Sequence, residues 1–159
     1  MKIKFLIPFC LLFLLTACED DDICIGNSTP NLTVVFRNSL NSVNLKDTLS
    51  IYRADNINFE NTDTIFEKVY TDSIKLPLGG LDSDKAYFKI KRKSNTESDV
   101  LSIAYQAESK YVSKACGFRI IYKNLNYSIT QQYINYLIPA ENNELTDEQT
   151  TNLYIVLAN

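Results

Sequence analysis

The strongest constraint on this chain is a two-residue apolar period that recurs in short runs and never lengthens into a helical one. From Ala86 to Arg92, Phe88 and Ile90 alternate with Lys89 and Lys91, and Leu101, Ile103 and Tyr105 continue the same alternation after a polar connection. Such a period puts one side of an extended segment in a core and the other in water, so 86–92 and 100–107 read as an antiparallel hairpin. Leu32, Val34 and Phe36 alternate in the same way with Thr33, Val35 and Arg37. No stretch sustains a 3.6-residue period over helix length.

Further strand candidates follow from the same rule. Val43 to Ile51 is one, broken near Lys46-Asp47, and residues 53–63 read as an Asn-rich loop. Ile65–Tyr70 and Ser73–Leu78 are two more, with Pro77 placing the second at an edge or a strand end. Gly79-Gly80 marks a turn, and residues 117–123, 127–138 and Leu153–Leu157 complete the set. Residues 141–150 are polar and read as a loop or one helical turn. Seven to nine short strands imply an all-β fold of two antiparallel sheets packed face to face, immunoglobulin-like or related, with a small β-barrel as the alternative.

The N-terminus carries a different signal. In residues 1–17, MKIKFLIPFCLLFLLTA, Lys2 and Lys4 precede an apolar run from Phe5 to Leu15, the layout of a secretory signal peptide. The run is too short for a membrane-spanning helix. It ends Leu15-Thr16-Ala17-Cys18, which resembles a bacterial lipobox, and this implies cleavage before Cys18 and acylation of that cysteine. Two or more acyl chains anchor a protein stably where one does not. Glu19, Asp20, Asp21 and Asp22 follow, a solvated tether that also resembles the acidic export signals of Bacteroidota outer-membrane lipoproteins. The expected organisation is a signal peptide over 1–17, a lipidated acidic tether over 18–30 and a single β-sandwich domain over 31–159. The expected location is the envelope of a Gram-negative bacterium, on the periplasmic or the outer side of the outer membrane.

Composition narrows the chemistry. The chain has 16 Lys+Arg, 19 Asp+Glu and no histidine, for a net charge of −3. An acidic balance argues against a nucleic-acid partner. The missing histidine excludes His-containing triads and HExxH zinc sites. Cys10 leaves with the signal peptide and Cys18 takes the lipid. Cys24 and Cys116 remain, so one disulfide is expected in an oxidising compartment, with two separately buried thiols or one reactive thiol as the alternatives. A bridge would close a loop of about 90 residues, worth roughly 4 to 5 kcal/mol by chain-entropy arithmetic. It would also hold the domain close to the bilayer, because the six residues from Cys18 to Cys24 span at most about 20 Å.

Several segments together resemble the DUF6452 family of uncharacterised Bacteroidota lipoproteins. They are the lipobox with its acidic run, Asp22-Ile23-Cys24, Thr29 to Phe36, Ile74 to Leu78, and Lys114-Ala115-Cys116-Gly117-Phe118-Arg119. The resemblance spans most of 18–159. It implies secretion, a paired early and late cysteine (here Cys24 and Cys116), and no particular activity, substrate or cofactor.

The search for chemistry yields candidates rather than a constellation. Asp82 and Asp84 read as two carboxylates on one strand face, and Asp20 to Asp22 as a loose calcium cluster, but neither has the shaped loop calcium needs. No carboxylate pair is singled out for acid–base hydrolysis. Lys89 to Lys93 reads either as an anion or headgroup patch or as the wet side of an edge strand. Tyr122, Tyr127, Tyr133 and Tyr136 read either as a sugar or peptide surface or as an exposed structural tyrosine ladder. No catalytic, metal or cofactor residues are assigned. The implied role is a lipid-anchored, non-catalytic envelope module that binds a protein or glycan or serves in assembly. The alternatives are a small-ligand or calcium carrier and a carboxylate-based glycan hydrolase.

Overall fold

The computed structural model describes Cys24, residues 28–94 and residues 96–158. The expected signal peptide over 1–17, Cys18 and the acidic run lie outside the described residues. The described residues form nine strands: β1 (Leu32–Asn38), β2 (Asp47–Ala54), β3 (Thr62–Thr71), β4 (Ser73–Leu76), β5 (Lys85–Arg92), β6 (Ser98–Ser113), β7 (Gly117–Ile129), β8 (Ile134–Pro139) and β9 (Leu153–Leu157). They make two open sheets, β4-β1-β9-β8 and β3-β2-β5-β6-β7, so the fold is a sandwich and the barrel alternative is discarded. One sheet is mixed rather than purely antiparallel, because the first and last strands, β1 and β9, run side by side in parallel from Val34↔Leu153 to Asn38↔Leu157. Pairing of the two chain ends needs no tight turn, which leaves the parallel direction open to it.

The alternation seen in the sequence is what fills the core. Leu32, Val34 and Phe36 of β1 face Leu49 and Ile51 of β2, Phe88 and Ile90 of β5, and Leu101 and Ile103 of β6 across the sheet interface, all essentially inaccessible. Burying one such aliphatic or aromatic side chain contributes about 1.5–3 kcal/mol, so these two inner faces carry most of the stabilisation. The chain turns a corner between sheets at Asp72 alone, with the Phe36 N–H donating to the Asp72 carbonyl at 2.9 Å. The two strand candidates on either side of Asp72 are therefore one bent ribbon, and Pro77 follows β4, an edge strand.

The one carboxylate that is fully buried in the core among the described residues is satisfied. Asp99 is fully buried and accepts from Thr130 Oγ1 at 2.7 Å and from the N–H groups of Gln132, Tyr133 and Ile134 at 2.8, 3.0 and 2.9 Å. It holds the crossing from β7 to β8. Residues 141–150 form neither strand nor helix. They run along the outer edge of β7, where Leu145 and Tyr122 exchange backbone hydrogen bonds of 3.1 and 2.8 Å, and the Leu145 side chain closes the core. This covers an edge that would otherwise pair with another chain. The other edge of that sheet, β3, is broken by two register shifts opposite Leu49 to Tyr52. Bulges of this kind twist an edge away from further pairing.

The β6–β7 hairpin is the longest element, with strands of 16 and 13 residues against 8 in β5. Its turn contains Cys116, which is joined to Cys24 with 5.1 Å between the Cα atoms. Of the alternatives for these two cysteines, the bridge is the one formed.

Candidate functional site

The outer face of the five-stranded sheet holds the most distinctive chemistry. Register puts Ser50 opposite Lys91 and Tyr52 opposite Lys89, while the intervening Ile51 and Ile90 point into the core. The irregularity in β3 brings Lys68 to the same place. Its backbone sits at φ 51°, a left-handed conformation that costs an L-residue free energy, and its N–H donates to Ser50 Oγ at 3.0 Å. Past β5, the Lys93 N–H donates to the Thr48 carbonyl at 2.9 Å and keeps that lysine beside β2.

These residues line a cleft of about 240 Å³ formed by Thr48, Ser50, Tyr52, Lys68, Lys91, Arg92 and Lys93. No carboxylate lines it. Arg92 is already engaged by Asp47 (Nε to Oδ2 2.5 Å) and by the Ala158 carbonyl at 3.3 Å. Lys68 lies 3.8 Å from Glu67, but both side chains are largely in solvent and such a pair is worth little. Lys91 and Lys93 have no ion-pair partner within 4.0 Å among the described residues. Three ammonium groups around one hollow repel one another, and an anion placed among them removes that repulsion.

The face continues toward the far end of the strands. Lys89 sits 4.5 Å above the ring of Phe59, which folds back from the β2–β3 loop. Beyond it, Tyr87, Ser102 and Ser128 form a row across three strands. A second hollow of about 280 Å³ is lined by these three with Ile57, Lys85 and Asn126. The strip therefore runs from amines through aromatic rings to hydroxyls and an amide. A third, larger hollow of about 530 Å³ lies along the β6–β7 hairpin. There, acids and bases balance: Glu108 and Lys123 pair at 2.8 Å, and the hydrogen bond that Lys123 donates to that carboxylate is the main cause of the lysine's raised pKa.

The sequence-expected residues divide sharply. Lys89, Lys91 and Lys93 do share the wet face, yet β5 lies between β2 and β6, so they do not blunt an edge strand. Asp82 and Asp84 occupy the turn between β4 and β5 rather than a strand face. Among the described residues no group of three or more His, Cys, Asp or Glu is placed to hold a metal ion. The tyrosine ladder is overturned: Tyr122 and Tyr133 are 1% and 5% exposed, and Tyr136 alone of the four is 47% exposed. Burial pushes the Tyr122 and Tyr127 hydroxyls up to about 12, as expected for core groups. No sequence pattern singles out Thr48, Ser50, Tyr52 or Lys68 as site residues. Lys68 has no local signal, because its position depends on bulges between two strands.

No curated protein and no solved structure matches the chain. A family model, described as a family of unknown function, matches residues 60–157, which takes in β3 through β9 and with them Lys68, Lys91 and Lys93 but not Cys24. A match over more than half the length, across both sheets and three of the cleft's lysines, places the chain in the DUF6452 family.

Proposed function

We propose that this protein is a lipid-anchored, non-catalytic module of a Gram-negative cell envelope that binds an acidic glycan on the outer face of its five-stranded sheet. The observation that carries this reading is the carboxylate-free cleft of Lys68, Lys91 and Lys93. Adjoining it are Tyr52, the Phe59 ring and the Tyr87, Ser102 and Ser128 row, surfaces suited to the apolar faces and hydroxyls of sugars. From Lys91 to Lys85 the strip covers seven residues of strand, about 20 Å, which suits an oligomer better than a single small anion. The anchor rests on the lipobox that ends in Cys18, and the Bacteroidota-type acidic run supports placement in the outer membrane.

Calorimetric titration with acidic and neutral polysaccharides tests the binding reading. Acidic polymers are expected to bind with an affinity that falls as salt rises, and the double variant Lys91→Ala/Lys93→Ala to bind at least about tenfold more weakly. Equal binding of neutral and acidic polymers, or an unchanged affinity in the double variant, would sink it.

A further inference from the structure

The β6–β7 ribbon outruns its neighbours. β5 stops pairing with β6 at Lys85↔Ala104, whereas β6 and β7 stay paired to Ser113↔Gly117. The nine residues after Ala104, up to Ser113, carry the ribbon about 30 Å further. Near its tip, Tyr111 and Phe118 stand directly opposite each other with ring centroids 5.3 Å apart and planes at 68°. They are 56% and 69% exposed. Alternation puts them on the same ribbon face as Ala107, Ile120 and Tyr122, which packs on the core nearer the base. At the tip that face is left open.

The opposite ribbon face has a related peculiarity. Lys110 and Arg119 are direct cross-strand partners, an arrangement in which like charges repel. Lys114 lies in the turn beyond them. None of the three has an acidic partner within 4.0 Å among the described residues. Two rings in water and three cations with no acidic partner among the described residues suit a surface that is apolar and anionic together, which describes the headgroup–acyl boundary of a phospholipid layer.

The covalent structure says which surface lies within reach. Cys116 of the turn is bonded to Cys24, and Cys18 precedes Cys24 by six residues, at most about 20 Å of chain. The four acids at 19–22 lie within five residues of Cys24 in sequence, and bases at the tip lower the repulsion those acids feel from anionic lipid. We propose that the ribbon tip is a bilayer contact, with Tyr111 and Phe118 seated in the interface beside the acyl chains on Cys18 and with Lys110, Lys114 and Arg119 at phosphate depth. The contact rests on the reading of Cys18 as acylated. It orients the domain, because the lysine cleft lies at the other end of the sheet, near Arg92 and Thr48.

The chain has no tryptophan, so one introduced indole reports alone. Phe118→Trp places it at the tip, and Tyr70→Trp at a site 69% exposed at the opposite end of the sheet. Each full-length variant is purified from native membranes, weighed by mass spectrometry, and reconstituted into phosphatidylethanolamine–phosphatidylglycerol vesicles with or without brominated acyl chains. The expected result is a blue-shifted Phe118→Trp emission, quenched severalfold by bromolipid, with Tyr70→Trp unquenched. If Cys18 is acylated and the two variants are quenched equally or not at all, the ribbon contact is overturned and the anchor stands. If the mass shows a free Cys18 thiol, the anchor fails and the contact fails with it.

Discussion

Tyr122 donates its hydroxyl to the carbonyl of Gly79 at 3.0 Å, and on its other side the Gly79 N–H donates to the Tyr105 hydroxyl at 2.8 Å. The two rings meet edge to face at 5.2 Å. A pair from β6 and β7 thus clamps the segment leaving β4. A Cβ at position 79 would lie 2.6 Å from both the Tyr105 hydroxyl and the Ser83 Cβ. Gly79→Ala is expected to cost about 2–4 kcal/mol through overpacking and lost hydrogen bonds, and Tyr122→Phe about 1–2 kcal/mol. Urea denaturation reads both, and a Gly79→Ala loss smaller than that of Tyr122→Phe would mean the clamp yields freely.

Asp99 predicts a comparable effect from a change that leaves the side chain's shape intact. Its carboxylate accepts four hydrogen bonds, three from backbone N–H groups of the β7–β8 crossing. Asp99→Asn keeps the shape but turns an amide NH₂ toward donors. The expected cost is about 2–4 kcal/mol, since buried N–H groups lose their acceptor. Hydrogen exchange at Gln132, Tyr133 and Ile134 should accelerate before exchange in β5. Uniform acceleration across both sheets would argue against a local role.

The buried phenols set an alkaline limit. Desolvation raises Tyr122 and Tyr127 to about 12, and raises Tyr133 further with help from the negative charge of Asp99. The folded state therefore holds protons that the unfolded chain releases near pH 10. The stability tied to these groups is complete below about pH 10 and declines as pH rises toward 12. Phenolate absorbance should show a late class of tyrosines that ionises together with loss of the fold. Full ionisation of all ten tyrosines with the fold intact would contradict their burial.

Some of this architecture is legible in sequence and some is not, for definable reasons. Phe88 and Ile90 against Lys89 and Lys91 give their faces away because one side of β5 is dry and the other wet. Tyr122 and Tyr133 do not, because a phenol suits either side and only tertiary packing decides. Asn124, at φ 53°, sits in a bulge that lets β7 run through what reads as a break between 123 and 127. The β1–β9 pairing joins residues over 100 apart, beyond any local pattern. The cleft is half legible: β5 announces its lysines, whereas Lys68 arrives through bulges that no single segment encodes.

Glu148 should govern part of the acid limb. Its carboxylate accepts from Lys75 Nζ at 2.5 Å and from the Asn31 N–H and side-chain amide at 2.8 and 2.7 Å, tying the segment before β9 to β1 and β4. The Lys75 hydrogen bond first, then that of the Asn31 backbone, holds its pKa below the ordinary carboxylate range. A depressed folded pKa contributes stability above the unfolded value, near 4.3, that is lost as pH falls below it. Glu148→Gln is expected to cost about 1 kcal/mol at neutral pH, after allowing for solvent screening, and progressively less in acid. A loss that stays constant with pH would assign the role to packing instead of charge.

The disulfide carries the last prediction. Cys24 and Cys116 are 92 residues apart, and the full loop arithmetic gives roughly 4 to 5 kcal/mol. That figure counts only the freedom restored to the unfolded chain. Here the bond joins a segment ahead of β1 to the turn of a ribbon that stands beyond the core, so breaking it also frees the folded state. Cys24 and the tip from Tyr111 to Phe118 both gain motion, while the Thr29 Oγ1 still accepts the Ile120 N–H at 3.2 Å. Cys24→Ser/Cys116→Ser is therefore expected to lose only about 2–3 kcal/mol, with the sheets intact by circular dichroism. Exchange protection should fall at the tip and remain in β5 and β9. A loss of the full loop value, or collapse of protection in both sheets, would show that the ribbon and core fold as one unit held by this bond.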